Sequence, residues 1–455
     1  MKKSELTKRI GQRILSEAND LKRTLETVSQ DISVSLDTLN SLIEGKLDSR
    51  VAFDIAQKFS KVYPVKVSDI LLDFENSSER VIFSKNSESK ASSRVYSRLN
   101  RDGVATEYYE YRDAAISKLS PFRPEWIKEL RIVDNNDPNN PDVAYNNGHL
   151  MHQMTTFVGP VNFYWEVNGK KFCKEMNTGD SNFITPFWKH SFTSRDKSKE
   201  AYIVAVTFSG DVGRARNELY ALGEESIQKF CFDNIDYNNA VTQVIRQVMD
   251  DQLLCPEKLQ EIFQEKQLSI NVDDLLNESI EKNQKSLDSF CKVLDLPLDI
   301  FNLPINDTQD EVIVKNHDSE ESYFYNNKFK DYKLNVLAKN PRMPECLGFN
   351  LQVFSKDQSK SSELNSALHN FIYNYGEHPV NFSWLDENSW KHKTIDPGDS
   401  IYMYPHVTHK MWANKSAIAS LFLFRVPGYV NLSVQKELSS FANVDRIIET
   451  SPWFN

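Results

Sequence analysis

The chain contains one of its own segments twice. VNFYW at 161–165 returns as VNFSW at 380–384, and TGDSNFITPFWKHSF at 178–192 returns in register as PGDSIYMYPHVTHKM at 397–411, which pairs His190 with His409. A repeat of this kind constrains the fold more than any local propensity, because each copy must bury the same faces. Around the first copy, short β-rich runs (TEYYEYR, MTTFVGPVNFYWEV, KKFCKEM, SNFITPF, EAYIVAVTF) alternate with Gly, Asn and Asp turns. This texture predicts a small antiparallel barrel or sandwich. Helical spacing precedes each copy, so the expected fold class is α+β: a tandem repeat of an all-α, helix-turn-helix-like domain and an antiparallel β-barrel. The boundaries read as a helical domain at 1–75, a linker at 76–95, a catalytic barrel at 96–213, a second helical domain at 214–305, a second, degenerate barrel at 306–430 and a tail at 431–455. At 455 residues the chain exceeds what a single core supports, about 250–300 residues, so several domains are required.

In the first helical domain, Ser33, Ser35 and Asp37 mark a turn and a helix start before Leu36–Ile43, in the manner of a phage-repressor helix-turn-helix. A DNA-binding regulator with a ligand-sensing barrel is therefore one reading. Against it, no Lys or Arg occurs from Thr24 to Gly45, where a recognition helix needs basic side chains for phosphates. The formal charge of −10 also argues against nucleic acid or an anionic membrane as the main partner. No apolar run reaches the roughly 18 residues of a membrane span, and the start is amphipathic without a signal-peptide core, so a cytoplasmic protein is expected. The five cysteines are odd in number and far apart, which encodes neither a disulfide framework nor a paired-cysteine metal site.

Duplication offers a test of function within one sequence. Residues needed for folding should persist in both copies, whereas chemistry can survive in one. Aligning Gly159 with Gly376 sets Ser366 opposite His149, His369 opposite His152 and Asn370 opposite Gln153, so the polar set is complete only in the first copy. If 149–153 is a strand, His149 and Gln153 share a face and His152 points to the other. His190 is expected to arrive from a neighbouring strand after the turn at Gly179-Asp180. Three donors on one side of a barrel are the arrangement used by non-haem Fe(II) oxygenases. Eight of the nine His, all but His317, cluster within the barrel stretches 149–190 and 369–409, which favours a metal site over isolated core histidines.

The H-x3-Q spacing at His149 and Gln153, Gly159 six residues on, and Pro186 four residues before His190 together resemble the paired metal motifs of the cupin barrel. With NNGH at 146–149, GDSNFITPFWKHSF at 179–192 and RDGVATEYYEYR at 101–112, the whole chain is similar to the non-haem iron bicupins that include 2-hydroxyethylphosphonate dioxygenase and methylphosphonate synthase. The resemblance implies Fe(II) as cofactor, 2-hydroxyethylphosphonate and O2 as substrates, no 2-oxoglutarate, and a homo-oligomer, as a tetramer in related enzymes. It carries His149 and His190 over as metal ligands and Arg101, Tyr109 and Asn146 as phosphonate-binding positions, with Tyr109 also counted as catalytic. Lys22 is the candidate for a lysine that the family brings from its helical domain.

One departure from the dioxygenase decides between the members. Its carboxylate ligand lies six residues before the second His, where this chain has Ile184, so Gln153 must complete the set and act as a catalytic as well as a metal residue. A neutral amide leaves the site one unit more positive than a carboxylate does. Within the family this Gln accompanies the synthase outcome, methylphosphonate and CO2. The alternative outcome is hydroxymethylphosphonate and formate.

Overall fold

The computed structural model describes residues 3–71, 80–303, 311–318, 320–413 and 417–448. The expected boundaries at 75/76 and 305/306, and the last residues of the expected tail, lie outside the described residues. Two compact units emerge: residues 1–82 with 116–120 and 428–455, and residues 83–115 with 121–427.

The first unit is helical. Helices Lys3–Asp20, Leu25–Asp31, Leu36–Ile43 and Ser49–Val62 bury Ile10, Ile14, Val28, Leu39, Leu42, Ile55 and Phe59 in one core. The expected start at Ser35 is present: its hydroxyl accepts from the Thr38 N–H at 3.2 Å, satisfying a donor that the helix leaves free. Ser33, at φ 55, makes the turn between the two motif helices.

The second unit holds both β-regions and the helices between them. Each β-region is an antiparallel sandwich of a seven-stranded and a three-stranded sheet. In the first, strands Ser181–Ile184, His152–Val158, Tyr202–Phe208, Phe122–Glu129, Ala105–Asp113 and Arg94–Leu99 are neighbours in that order. Strands Lys170–Met176, Val161–Val167 and Lys189–Ser194 form the small sheet. Phe157, Ile127 and Ile203 of the large sheet meet Phe163, Met176 and Phe192 of the small one in a shared core. Burying aromatic and aliphatic side chains from both inner faces is what holds two such sheets together. Helices Tyr237–Asp251, Pro256–Glu265 and Gln284–Val293 form a separate apolar core around Ile245, Phe263 and Phe290.

The two copies exchange edge strands. Strand Val312–Lys315, which follows the second helical segment, pairs with Ser181–Ile184 of the first copy. Strand Val81–Ser84, whose last two residues begin the second unit, lies beside Ser400–Met403 of the second copy. The repeated Gly-Asp-Ser triplet is the fastening at both crossings. The Asp180 carboxylate accepts from the His317 N–H at 2.6 Å and from Asn316 Nδ2 at 3.0 Å, while Asp399 accepts from the Asn86 N–H at 2.8 Å and from Lys85 Nζ at 2.6 Å. The Ser181 hydroxyl accepts from the Ala338 N–H at 2.8 Å, and the Ser400 hydroxyl accepts from the Ala115 N–H at 2.9 Å. The glycine of each triplet has positive φ, and a Cβ there would press on His317 in one copy and on Asn86 in the other. The repetition of this motif is thus explained by folding.

Replacing Asp180 or Asp399 by Ala leaves buried N–H groups without acceptors, a loss of about 1–3 kcal/mol for each. Each variant is expected to lose about 3 kcal/mol of stability, read as a lowered urea midpoint, with the two copies affected alike.

Candidate active site

Side chains singled out by the duplication meet in the first sandwich. Gln153 Oε1 lies 3.3 Å from His149 Nε2, and the His149 and His190 rings stand edge to face with centroids 5.2 Å apart. The route by which they meet differs from the expectation in two respects. The strand begins at His152, so His149 sits in the irregular segment before it, and strand alternation does not place it. Its position is set instead by the Phe187 N–H donating to the His149 carbonyl at 2.9 Å and by Gly148 at φ 72, where a Cβ would come within 2.4 Å of the Phe187 backbone. His190, in turn, belongs to the small sheet, where it pairs with Trp165. It reaches the site from the facing sheet, because the chain turns at Phe187, φ 69, after leaving Ser181–Ile184. His152 does face away: its ring stacks on Phe208 at 5.6 Å and lies near Phe183, and burial lowers its pKa to about 4.

The hydrogen bonds prepare His190 as a donor atom. Its Nδ1 lies 2.9 Å from the Trp188 carbonyl, which places the proton on Nδ1 and the lone pair on Nε2. Burial, opposed by that carbonyl and reinforced by His149, holds the ring neutral with a pKa of about 4. The Asn146 side chain fixes the same residue at two points. Its Oδ1 accepts from the His190 N–H at 2.9 Å and from the Gly148 N–H at 3.0 Å, and its Nδ2 stands 2.9 Å from His190 Nε2. On the other side, Gln153 Nε2 donates to Thr155 Oγ1 at 2.8 Å. Among the described residues no group of three or more His, Cys, Asp or Glu is placed to hold a metal, and the side-chain oxygen beside His149 is that of the Gln153 amide. Two imidazoles and one oxygen fit a first-row divalent ion such as Fe(II). In the sheet, Gln153 and Ile184 are direct partners, so the two candidate positions for the third ligand are neighbours across one strand pair.

The other expected residues are placed differently. Tyr109 is buried in the core shared by the sheets, where its hydroxyl accepts from the Phe192 N–H at 2.9 Å and lies 3.2 Å from Ser191 Oγ. Burial raises its pKa well above that of a free phenol. Tyr332 makes the same bond to the Met411 N–H in the second copy, so this part of the role of Tyr109 belongs to folding. Arg101 is on the exposed turn of the hairpin between Arg94–Leu99 and Ala105–Asp113, with its Nε donating to Asp142 at 2.7 Å. Lys22 lies in the helical unit just after helix Lys3–Asp20, where its ammonium donates to the Asn19 carbonyl at 3.3 Å.

The second copy differs at the matching positions. Asn370 pairs with Met403 as Gln153 pairs with Ile184, and the Ser366 carbonyl accepts from the His406 N–H as His149 does from Phe187. His409 keeps its Nδ1 at 2.9 Å from the Val407 carbonyl. Where the first copy has Thr207 beside Gln153, the second has Arg425 beside Asn370, and its Nε donates to Asn370 Oδ1 at 2.9 Å. A fixed guanidinium there opposes any metal cation. Registers also reveal a wider polar face that the short motifs missed. Thr155, Asn182, Glu125 and Glu129 correspond to Ile372, Ile401, Phe349 and Val353. Neither oxygen of Glu129 has a hydrogen-bond partner among the described residues, and burial raises its pKa well above the usual carboxylate range. Both amide atoms of Asn182 are likewise buried without a partner among those residues. Aligning whole strands of the two copies, and not only the His-bearing segments, would have found this face.

No family model matches the chain. It is 33% identical to methylphosphonate synthase of Nitrosopumilus maritimus (strain SCM1), over 98% of this chain and 96% of that protein. The structure of Streptomyces albus HEPD with 2-hydroxyethylphosphonate and Fe(II) bound superposes with a TM-score of 0.90 at 27% identity, covering 100% of both chains. A further 2-hydroxyethylphosphonate dioxygenase structure, at 17% identity and a TM-score of 0.73 over 96% of this chain and 98% of that one, shares the fold. By the identity and reach of the first of these relationships, the chain belongs to the methylphosphonate synthase family.

Proposed function

We propose that this chain is an Fe(II)- and O2-dependent enzyme that cleaves the carbon–carbon bond of 2-hydroxyethylphosphonate to give methylphosphonate and CO2. The observation that carries the reading is the convergence of His149, Gln153 and His190 in one copy of a duplicated sandwich, with the corresponding set dismantled in the other. The 33% identity to a methylphosphonate synthase supports the product, and the likeness to a dioxygenase structure holding Fe(II) and 2-hydroxyethylphosphonate supports the metal and substrate.

His149 Nε2, His190 Nε2 and Gln153 Oε1 hold the iron in this reading. The bound metal supplies O2 activation and a Lewis-acid anchor for the substrate oxygens. The chain supplies orientation. Trp188 fixes the His190 ring, Asn146 Oδ1 fixes its backbone while Asn146 Nδ2 gives up Nε2 to the metal, and Ile184 presents an apolar side chain where the dioxygenase has its carboxylate. Asn146 Nδ2 and the Tyr109 hydroxyl serve as neutral donors toward the phosphonate. Arg101, released from Asp142, and Lys22 supply positive charge. The sandwiches are read as cupin barrels, the first catalytic and the second degenerate, in the domain order given by the sequence. A homo-oligomer is part of the proposal, as is action without nucleic acid or membrane as partner. Among the described residues no helix is long and apolar enough to cross a membrane, which is compatible with the expected cytoplasmic location. The dioxygenase outcome, hydroxymethylphosphonate and formate, is the second reading, favoured by the TM-score of 0.90 to that enzyme.

Metal analysis of protein purified without oxygen is expected to give about one Fe(II) per chain. His149→Ala and His190→Ala should abolish iron retention and turnover, whereas His409→Ala should leave both largely intact; two tightly held irons, or equal loss in all three, would place chemistry in the second copy.

Phosphorus NMR of the reaction should show methylphosphonate as the main product. Ile184→Glu combined with Gln153→Ala restores the dioxygenase ligand pattern across the same strand pair and is expected to move product toward hydroxymethylphosphonate. Wild type yielding hydroxymethylphosphonate and formate alone would select the second reading.

A further inference from the structure

We propose that Thr155 is a positioning residue that holds the Gln153 amide with its oxygen toward the metal. The inference rests on the proposed function and goes beyond it, since it assigns a role to a residue that makes no contact with iron.

A carboxylate ligand has two equivalent oxygens and no hydrogens to satisfy. An amide has one oxygen and two N–H donors, so turning the oxygen to a cation sends the nitrogen into the protein, where it needs acceptors. Here the surroundings are dry: Gln153 is 5% exposed and Thr155 is 1% exposed. Thr155 lies two residues on along the same strand and on the same face, and its Oγ1 takes the Gln153 Nε2 hydrogen bond at 2.8 Å. That leaves Oε1 as the atom directed at His149.

The second copy shows that the sandwich does not require this hydroxyl. Ile372 occupies the place of Thr155, between Ile401 and Leu423. Asn370, in the place of Gln153, turns its Nδ2 to the Leu368 carbonyl at 2.8 Å and gives its oxygen to Arg425. Both positions carry β-branched side chains, so the branched shape serves the strand and the oxygen serves Gln153.

The test is an anaerobic Fe(II) titration of metal-free protein against a chromophoric chelator, with circular dichroism and the unfolding midpoint of each metal-free variant recorded in parallel. Thr155→Val keeps the shape and removes the acceptor, and is expected to weaken Fe(II) binding about tenfold, the scale seen when partners of metal ligands are removed. Thr155→Ser keeps the acceptor and should restore affinity to within about twofold of wild type. With Gln153→Ala already present, adding Thr155→Val should change affinity by less than about twofold, because the two residues act as one unit. An unchanged affinity in Thr155→Val, or an equal loss with and without Gln153, overturns the inference. Should Thr155→Val not fold, the hydroxyl is needed for the sandwich and the inference also fails. Wild type that binds no Fe(II) at all would overturn the proposed function itself, an outcome distinct from these.

Discussion

Each sandwich of this chain is completed by a strand from the other half, and the buried carboxylates of Asp180 and Asp399 make that exchange hold. A carboxylate at the mouth of a turn can accept from its own turn and from the crossing strand together, as Asp180 does from the Asn177 and His317 N–H groups. The crossing strands are short, and their backbone groups need partners once removed from water. The same turns start the strands that carry Ile184 and Met403, which fixes where the third-ligand position falls in each copy.

On this frame the first copy carries a polar interior where the second has apolar side chains. Glu129 and Asn182 are buried without hydrogen-bond partners among the described residues, an arrangement that costs stability and that Val353 and Ile401 avoid. Their persistence in one copy fits a pocket that meets polar atoms of a ligand. The second copy packs aliphatic and aromatic side chains at these positions and places Arg425 against Asn370.

The donors that meet at the site come from three kinds of structure. Gln153 is held by a strand, His190 by the opposite sheet, and His149 by an irregular segment pinned through Gly148 and Phe187. Only the first of these obeys a sequence period. The distance from His149 to Gln153 that suggested a shared strand face is met by a bend before His152, so the contact was anticipated on a wrong local geometry.

The sequence by itself determined the repeat, the α+β class, the helix start at Ser35 and the membership of His149, Gln153 and His190 in one polar set. All of these leave local or duplicated signals: an N-cap, an alternating strand, a pair of aligned segments. Only the tertiary structure decided that His190 crosses from the facing sheet, that Arg101 pairs with Asp142 on an exposed turn, and that Gly-Asp-Ser serves strand exchange. It also decided that the Gln153 amide nitrogen donates to Thr155 Oγ1. The physical reason is the same in each case. Sheet pairing joins residues far apart in the chain through backbone hydrogen bonds that no side-chain pattern records, and only the register of those bonds tells which polar groups share a buried face.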